Sequence, residues 1–87
     1  MKTHVLKTHP EYFQAIADGV KTFEVRKNDR DFKVDDVLQI TEYDPTTDSF
    51  SGRIRHLKVT YILDNSNFGV QPGFVVMAVM PIRYGSF

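Results

Sequence analysis

Thr8-His9-Pro10-Glu11-Tyr12-Phe13-Gln14-Ala15-Ile16-Ala17-Asp18-Gly19-Val20-Lys21-Thr22-Phe23-Glu24-Val25-Arg26 is the stretch in which the chain changes from a helical to an extended period. Thr8 followed three residues later by Glu11 has the form of a capping box. Pro10 suits a first helical turn, and Gly19 stands where a left-handed residue ends a helix. Between them Tyr12, Ile16 and Val20 recur every fourth residue with Phe13 alongside, which predicts one apolar helix face. From Thr22 the period is two. Phe23 and Val25 share one face and Thr22, Glu24 and Arg26 the other, so the helix feeds directly into a strand whose outward face is polar.

Upstream, residues 3–7 read as a short strand. Downstream, Phe32 and Val34 flank Lys33 and lead into an Asp35-Asp36 turn, and residues 37–43 form a strand with Leu38 and Ile40 pointing inward. Asp44-Pro45-Thr46-Thr47-Asp48-Ser49-Phe50-Ser51-Gly52 is a turn-forming connection that predicts a hairpin to a strand over residues 53–63. Ile54 is out of phase there with Leu57, Val59 and Tyr61, which a bulge near Arg55 or His56 accommodates. Residues 74–80 are continuously apolar between Gly73 and Pro81, the pattern of a strand covered on both faces. The fold class is α+β: a single domain over residues 1–87, built as a small, partly closed mixed or antiparallel β-barrel of five or six strands with one main helix near the N-terminus.

With 87 residues the chain has room for one core. The absence of cysteine excludes a disulfide framework, an iron–sulfur cluster, a thiolate zinc site and a cysteine nucleophile, and it suits a cytoplasmic protein. His4, His9 and His56 have no zinc-ligand spacing, so neither a metal nor a cofactor is expected. No apolar run approaches the roughly 20 residues that cross a bilayer, and Met1-Lys2-Thr3-His4 opens no signal core, so no membrane partner is expected. Eleven basic and eleven acidic side chains cancel, which argues against a whole-surface grip on nucleic acid. The distribution is uneven, however: residues 19–33 carry five basic and three acidic groups, whereas residues 35–48 carry five acidic groups and no basic one.

The chemistry concentrates in Lys21, Thr22, Glu24, Arg26, Lys27 and Arg30. Arginine offers paired planar donors to a phosphate or a base edge, lysine a compact cation, and glutamate an acceptor for an exocyclic amine. The same spacing also describes a lateral Glu24–Arg26 ion pair on a solvated strand face. Lys27 and Arg30 read either as a solvated loop or as a rim that contacts phosphate. His4 and Lys7 are secondary candidates for the same cleft. Arg53 and Arg55 alternate with His56 and Lys58 on opposite strand faces, as on a charge-protected edge strand. Tyr43 and Phe68 are the aromatics best placed to stack on a base, and Asn65-Ser66-Asn67-Phe68-Gly69 forms a polar loop.

The pattern Gly19-x-Lys21-x-x-Glu24-x-Arg26, followed by Phe32-Lys33-Val34-Asp35-Asp36-Val37-Leu38, resembles the ASCH domain of the PUA-like superfamily. With His4-Val5-Leu6-Lys7, Pro10-Glu11-Tyr12-Phe13 and Glu42-Tyr43-Asp44 added, it is more similar still to an uncharacterised ASCH-related group of bacterial and phage proteins. The resemblance implies a pseudo-barrel and an RNA- or nucleotide-binding module whose cleft is lined by Lys21, Glu24 and Arg26 and extended by Lys27 and Arg30. Single-stranded nucleic acid or a nucleotide is the implied partner. Family members place Gly-Asp where this chain has Asp35-Asp36, so Asp35 is expected to take a positive φ. Small ASCH relatives that hydrolyse acetylated cytidine use a lysine and, three residues later, a threonine nucleophile. Lys21 matches the lysine, but Glu24 occupies the threonine position. An amidohydrolase acting on a modified nucleoside, with Lys21, Glu24 and Thr22 as its catalytic group, is therefore the alternative, and a protein-interaction module is a further one.

Overall fold

The protein is described by a computed structural model covering residues 1–64 and 68–83. The described residues form five strands and one helix: β1 (Thr3–Thr8), α1 (Pro10–Ala17), β2 (Phe23–Lys27), β3 (Val37–Asp44), β4 (Ser49–Asp64) and β5 (Phe74–Ile82). The strands make one sheet in the order β1-β3-β4-β5-β2. β1 runs parallel to β3, and every other pair is antiparallel. The sheet curls into a half-barrel around the core. Phe32 and Val34 belong to no strand, so five strands form rather than six. No helix among the described residues is long and apolar enough to cross a membrane.

Inside the curl, Phe13 and Ile16 of the helix pack on Leu6, Leu38, Ile40, Leu57, Val59, Val75 and Met77, all buried. Burying a side chain of this size contributes about 1.5–3 kcal/mol, so this interior is what holds the helix to the sheet. Of the expected apolar face, Phe13 and Ile16 are buried, with Ala17 partly buried beside them at i+4 from Phe13, whereas Tyr12 and Val20 stay outside the core. Tyr12 is about half exposed and Val20 is 77% exposed.

Helix termination follows the expectation. Gly19 has φ +78°, its N–H donates to Ile16 O (3.0 Å), and Val20 N–H donates to Ala15 O (3.0 Å). This is the paired closure of a Schellman motif, which satisfies carbonyls the helix leaves open. At the other end the capping box does not form. His9 is the N-cap residue and makes no side-chain cap. Thr8 remains in β1, buried, and its hydroxyl accepts from Arg26 instead.

Two turns set the strand register. Asp35 has φ +77°, the conformation expected where relatives carry glycine. Beside it the Asp36 carboxylate accepts hydrogen bonds from Lys2 N–H (2.9 Å) and Lys33 N–H (3.1 Å) and pairs with His4 Nε2 (2.8 Å), tying β1, the turn and β3 together. In the β3–β4 hairpin, Asp44 accepts from the N–H (2.9 Å) and hydroxyl (2.6 Å) of Thr46, an Asx-type closure. These bonds hold the Asp44 carboxyl below its ordinary value. β4 has two irregularities, one at Thr60, between the pairs Val59–Val79 and Tyr61–Ala78, and one over residues 51–53, between the pairs Tyr43–Phe50 and Thr41–Ile54; neither lies at Arg55 or His56. Ile54 points away from the core, while Arg53 and Arg55 set their guanidinium carbons 4.8 and 5.7 Å from the Phe13 ring centre. β4 is also an interior strand of the sheet, although its first half pairs only with β3 among the described residues.

Candidate functional site

β2 presents the reverse of the face that alternation predicts. Glu24 is 3% exposed and turned into the curl, whereas Phe23 and Val25 are 46% and 52% exposed on the outside. A buried carboxylate is tolerated only when it is paired and hydrogen-bonded, and the neighbouring residues supply this. Lys21 Nζ donates to Glu24 Oε1 (2.6 Å) and to Phe23 O (2.7 Å). Arg26 Nε donates to Glu24 Oε2 (2.9 Å). The Glu24–Arg26 ion pair of the sequence reading thus exists, but it is buried on the concave side, with Lys21 as a third member.

Arg26 continues across the barrel opening. Its Nη2 donates to Lys7 O (2.9 Å) and Thr8 Oγ1 (3.2 Å) on β1, the strand at the far edge of the sheet. Arg30 reaches the same strand, with Nη1 donating to Val5 O (3.0 Å). The seam between the two edge strands is therefore bridged by side-chain guanidinium groups that meet backbone carbonyls.

Above this ion-pair floor lies a cleft of about 360 Å³ between the start of α1, the end of β1 and β2. Lys7, Thr8, His9, Tyr12, Lys21 and Arg26 are among its lining residues. The His9 and Tyr12 rings lie 6.0 Å apart and nearly parallel, 17° between planes, at its helix side. Lys21 Nζ sits 4.9 Å from the Phe23 ring centre and 5.9 Å from that of Tyr12. Lys21 and Arg26 face one carboxylate, Glu24, so the cleft carries an excess of positive charge, while the Lys7 ammonium turns to the outer face over the Tyr43 ring. Arg26 Nη1 and Lys7 Nζ have no hydrogen-bond acceptor among the described residues.

The structure brings Lys21, Glu24 and Arg26 together and places Arg30 at the seam beside them. Lys27 is exposed on the opposite face of β2, and Thr22 is exposed outside the cleft lining. Of the secondary candidates, Lys7 lines the cleft, while His4 is buried against Asp36 and edge-on to Phe32 at 4.7 Å, away from it. Tyr43 packs against Phe50 (5.0 Å between ring centres) with Lys7 Nζ 4.5 Å above it. Its hydroxyl donates to Asp48, whose carboxylate pushes the phenol above its ordinary value. Phe68 is 83% exposed in its loop, and neither ring lines the cleft. Residues 65–67 of the polar loop lie outside the described residues. Sequence reasoning passed over Tyr12 and Thr8 as site residues, because the fourfold spacing assigned Tyr12 to the core and the box pattern assigned Thr8 to the helix cap.

Two comparisons bear on this site. An uncharacterized 12.9 kDa protein in the GpA 3' region of Escherichia phage P2 is 33% identical over 67 residues, which are 77% of this chain and 60% of that protein. Residues 3–79 match the family model described as a domain of unknown function, DUF3850. Because that match runs from the first residue of β1 to the last buried residue of β5, taking in the cleft and the seam, the chain belongs to the DUF3850 family.

Proposed function

We propose that the cleft binds a nucleotide unit, free or within single-stranded RNA, and that the domain is a cytoplasmic relative of the ASCH and PUA-like binding modules. The observation that supports this reading most is the composition of one concave wall, where two cations, Lys21 and Arg26, the latter with a donor to spare, stand beside a paired ring face and a single buried carboxylate. A phosphate fits the free Arg26 donor. A base fits the exposed face of Tyr12. Glu24 has both oxygens engaged by Lys21 and Arg26, and Thr22 lies outside the cleft, so the geometry favours binding over hydrolysis with these groups.

Fluorescence anisotropy with a short labelled single-stranded RNA, competed by mononucleotides, tests the reading. Tyr12→Ala removes an exposed ring and is expected to weaken binding by roughly tenfold, in line with about 1–3 kcal/mol per stacked base. Lys21→Met is expected to weaken it further, with the circular dichroism spectrum retained in both variants. Equal affinity of both variants and the parent for every RNA and nucleotide tried would overturn the assignment.

A further inference from the structure

β5 reads as a strand covered on both faces, yet among the described residues only one of its faces is fully buried. Val75, Met77 and Val79 point into the core, and the alternate residues point outward. The register assembles them with their neighbours into two cross-strand rows, Phe23–Ala78–Tyr61 and Val25–Val76–Leu63, with Met80 continuing the second face of β5. Tyr61 is 64% exposed, Val25 52%, Met80 51% and Phe23 46%. The helix packs on the other side of the sheet, through Phe13 and Ile16.

We propose that this outer face is a homodimer interface, on which a second copy of the chain packs sheet against sheet about a two-fold axis. Three observations favour a copy over another occupant. The two rows contain no charged residue, Lys58, the cation opposite Met80, is already paired with Asp35 at 3.3 Å, and Lys27 stands only at the end of the β2 face, so the centre of the patch offers a charged partner nothing to pair with. The zero net charge of the chain removes long-range repulsion between copies. The area is also of the right order. With side chains of this size offering roughly 150–250 Å² when fully exposed, the face leaves about 500 Å² open per copy. A pair then buries around 1,000 Å², the lower end of specific association. Twisted sheets of the same hand stack at about 10 Å with strands some 30° apart. Glu24 and Arg26 point the other way from β2, while Phe23 and Val25 also border the cleft, so the interface reaches the cleft rim.

Sedimentation velocity of the intact chain between about 10 µM and about 1 mM tests this, since an interface of this size is expected to hold with a dissociation constant in the micromolar range. Val25→Lys and, as a second variant, Tyr61→Lys are expected to keep the parent's circular dichroism spectrum and to weaken dimerisation by at least about tenfold. Val5→Lys serves as the control. Val5 is just as exposed, at 52%, but stands on β1 beyond the rows, and its substitution is expected to leave the dimer intact. The proposal is overturned by a parent protein that stays monomeric at the highest concentration, including one that instead co-sediments with neutral lipid vesicles. It is equally overturned by a dimer that Val25→Lys and Val5→Lys weaken to the same extent.

Discussion

Asp36 ties the N-terminal segment to its own turn through one carboxylate, accepting from Lys2 N–H just before β1, from His4 of β1 and from Lys33 N–H. Burial works against its ionisation, but the bonds from His4, Lys2 and Lys33 outweigh it and hold the carboxyl below its ordinary value. A carboxyl that is more acidic in the folded state than in the unfolded state stabilises fully above its unfolded value, and the gain is lost as pH falls through the folded value. Asp36→Ala leaves two part-buried N–H groups and a buried histidine without an acceptor and is expected to cost about 3 kcal/mol in urea unfolding at neutral pH. The gap between parent and variant should narrow from about pH 4 downward. The neighbouring Asp35 was legible through the family resemblance, which puts a glycine at that position, and aspartate tolerates the left-handed conformation. The His4–Asp36 contact was not. Thirty-two positions separate the two residues, and no local period encodes a bond that exists only once β1 has paired with β3.

Element order, the hairpin and the helix stop were legible because each rests on a few adjacent residues. The face of β2 was not legible, since an alternating pattern states which side chains share a face and not which face is inside. Phe23 and Val25 suggested the apolar side, but Lys21 and Arg26 neutralise Glu24 and let the charged side turn inward. The helix stripe shifted for a related reason. Tyr12 serves the cleft wall, and the core takes Phe13 and Ala17 with Ile16. At the seam, the two arginines are expected to differ. Arg30→Met removes one exposed hydrogen bond and should cost under about 1 kcal/mol, while amide exchange in β1 quickens severalfold. Arg26→Met also strips Glu24 of a partner within a buried pair and should cost about 2–3 kcal/mol. Hydrogen exchange and urea unfolding of the two variants separate the local effect from the global one.

For the whole molecule, the zero net charge hides two opposed regions, a cationic cleft and an acidic stretch around the β3–β4 turn that carries Glu42, Asp44 and Asp48. A ligand held only at the cleft meets Lys21 and Arg26, so few counterions are released when it binds. The logarithm of RNA affinity is expected to fall with the logarithm of salt concentration at a slope no steeper than about −2, given about 0.7 per neutralised phosphate on a single strand. Titration at several ionic strengths checks this, and a slope several times steeper would mean that the strand runs well beyond the cleft.

The guanidinium bridges across the β1–β2 gap carry one more consequence. A barrel zipped by main-chain amides has a fixed circumference, because changing it means changing strand register throughout. Here the final gap is spanned by two removable side chains of set length, so the width of the opening is decided by residue identity at positions 26 and 30. A single codon at either position can resize the mouth of the cleft while the five-strand ladder keeps its register.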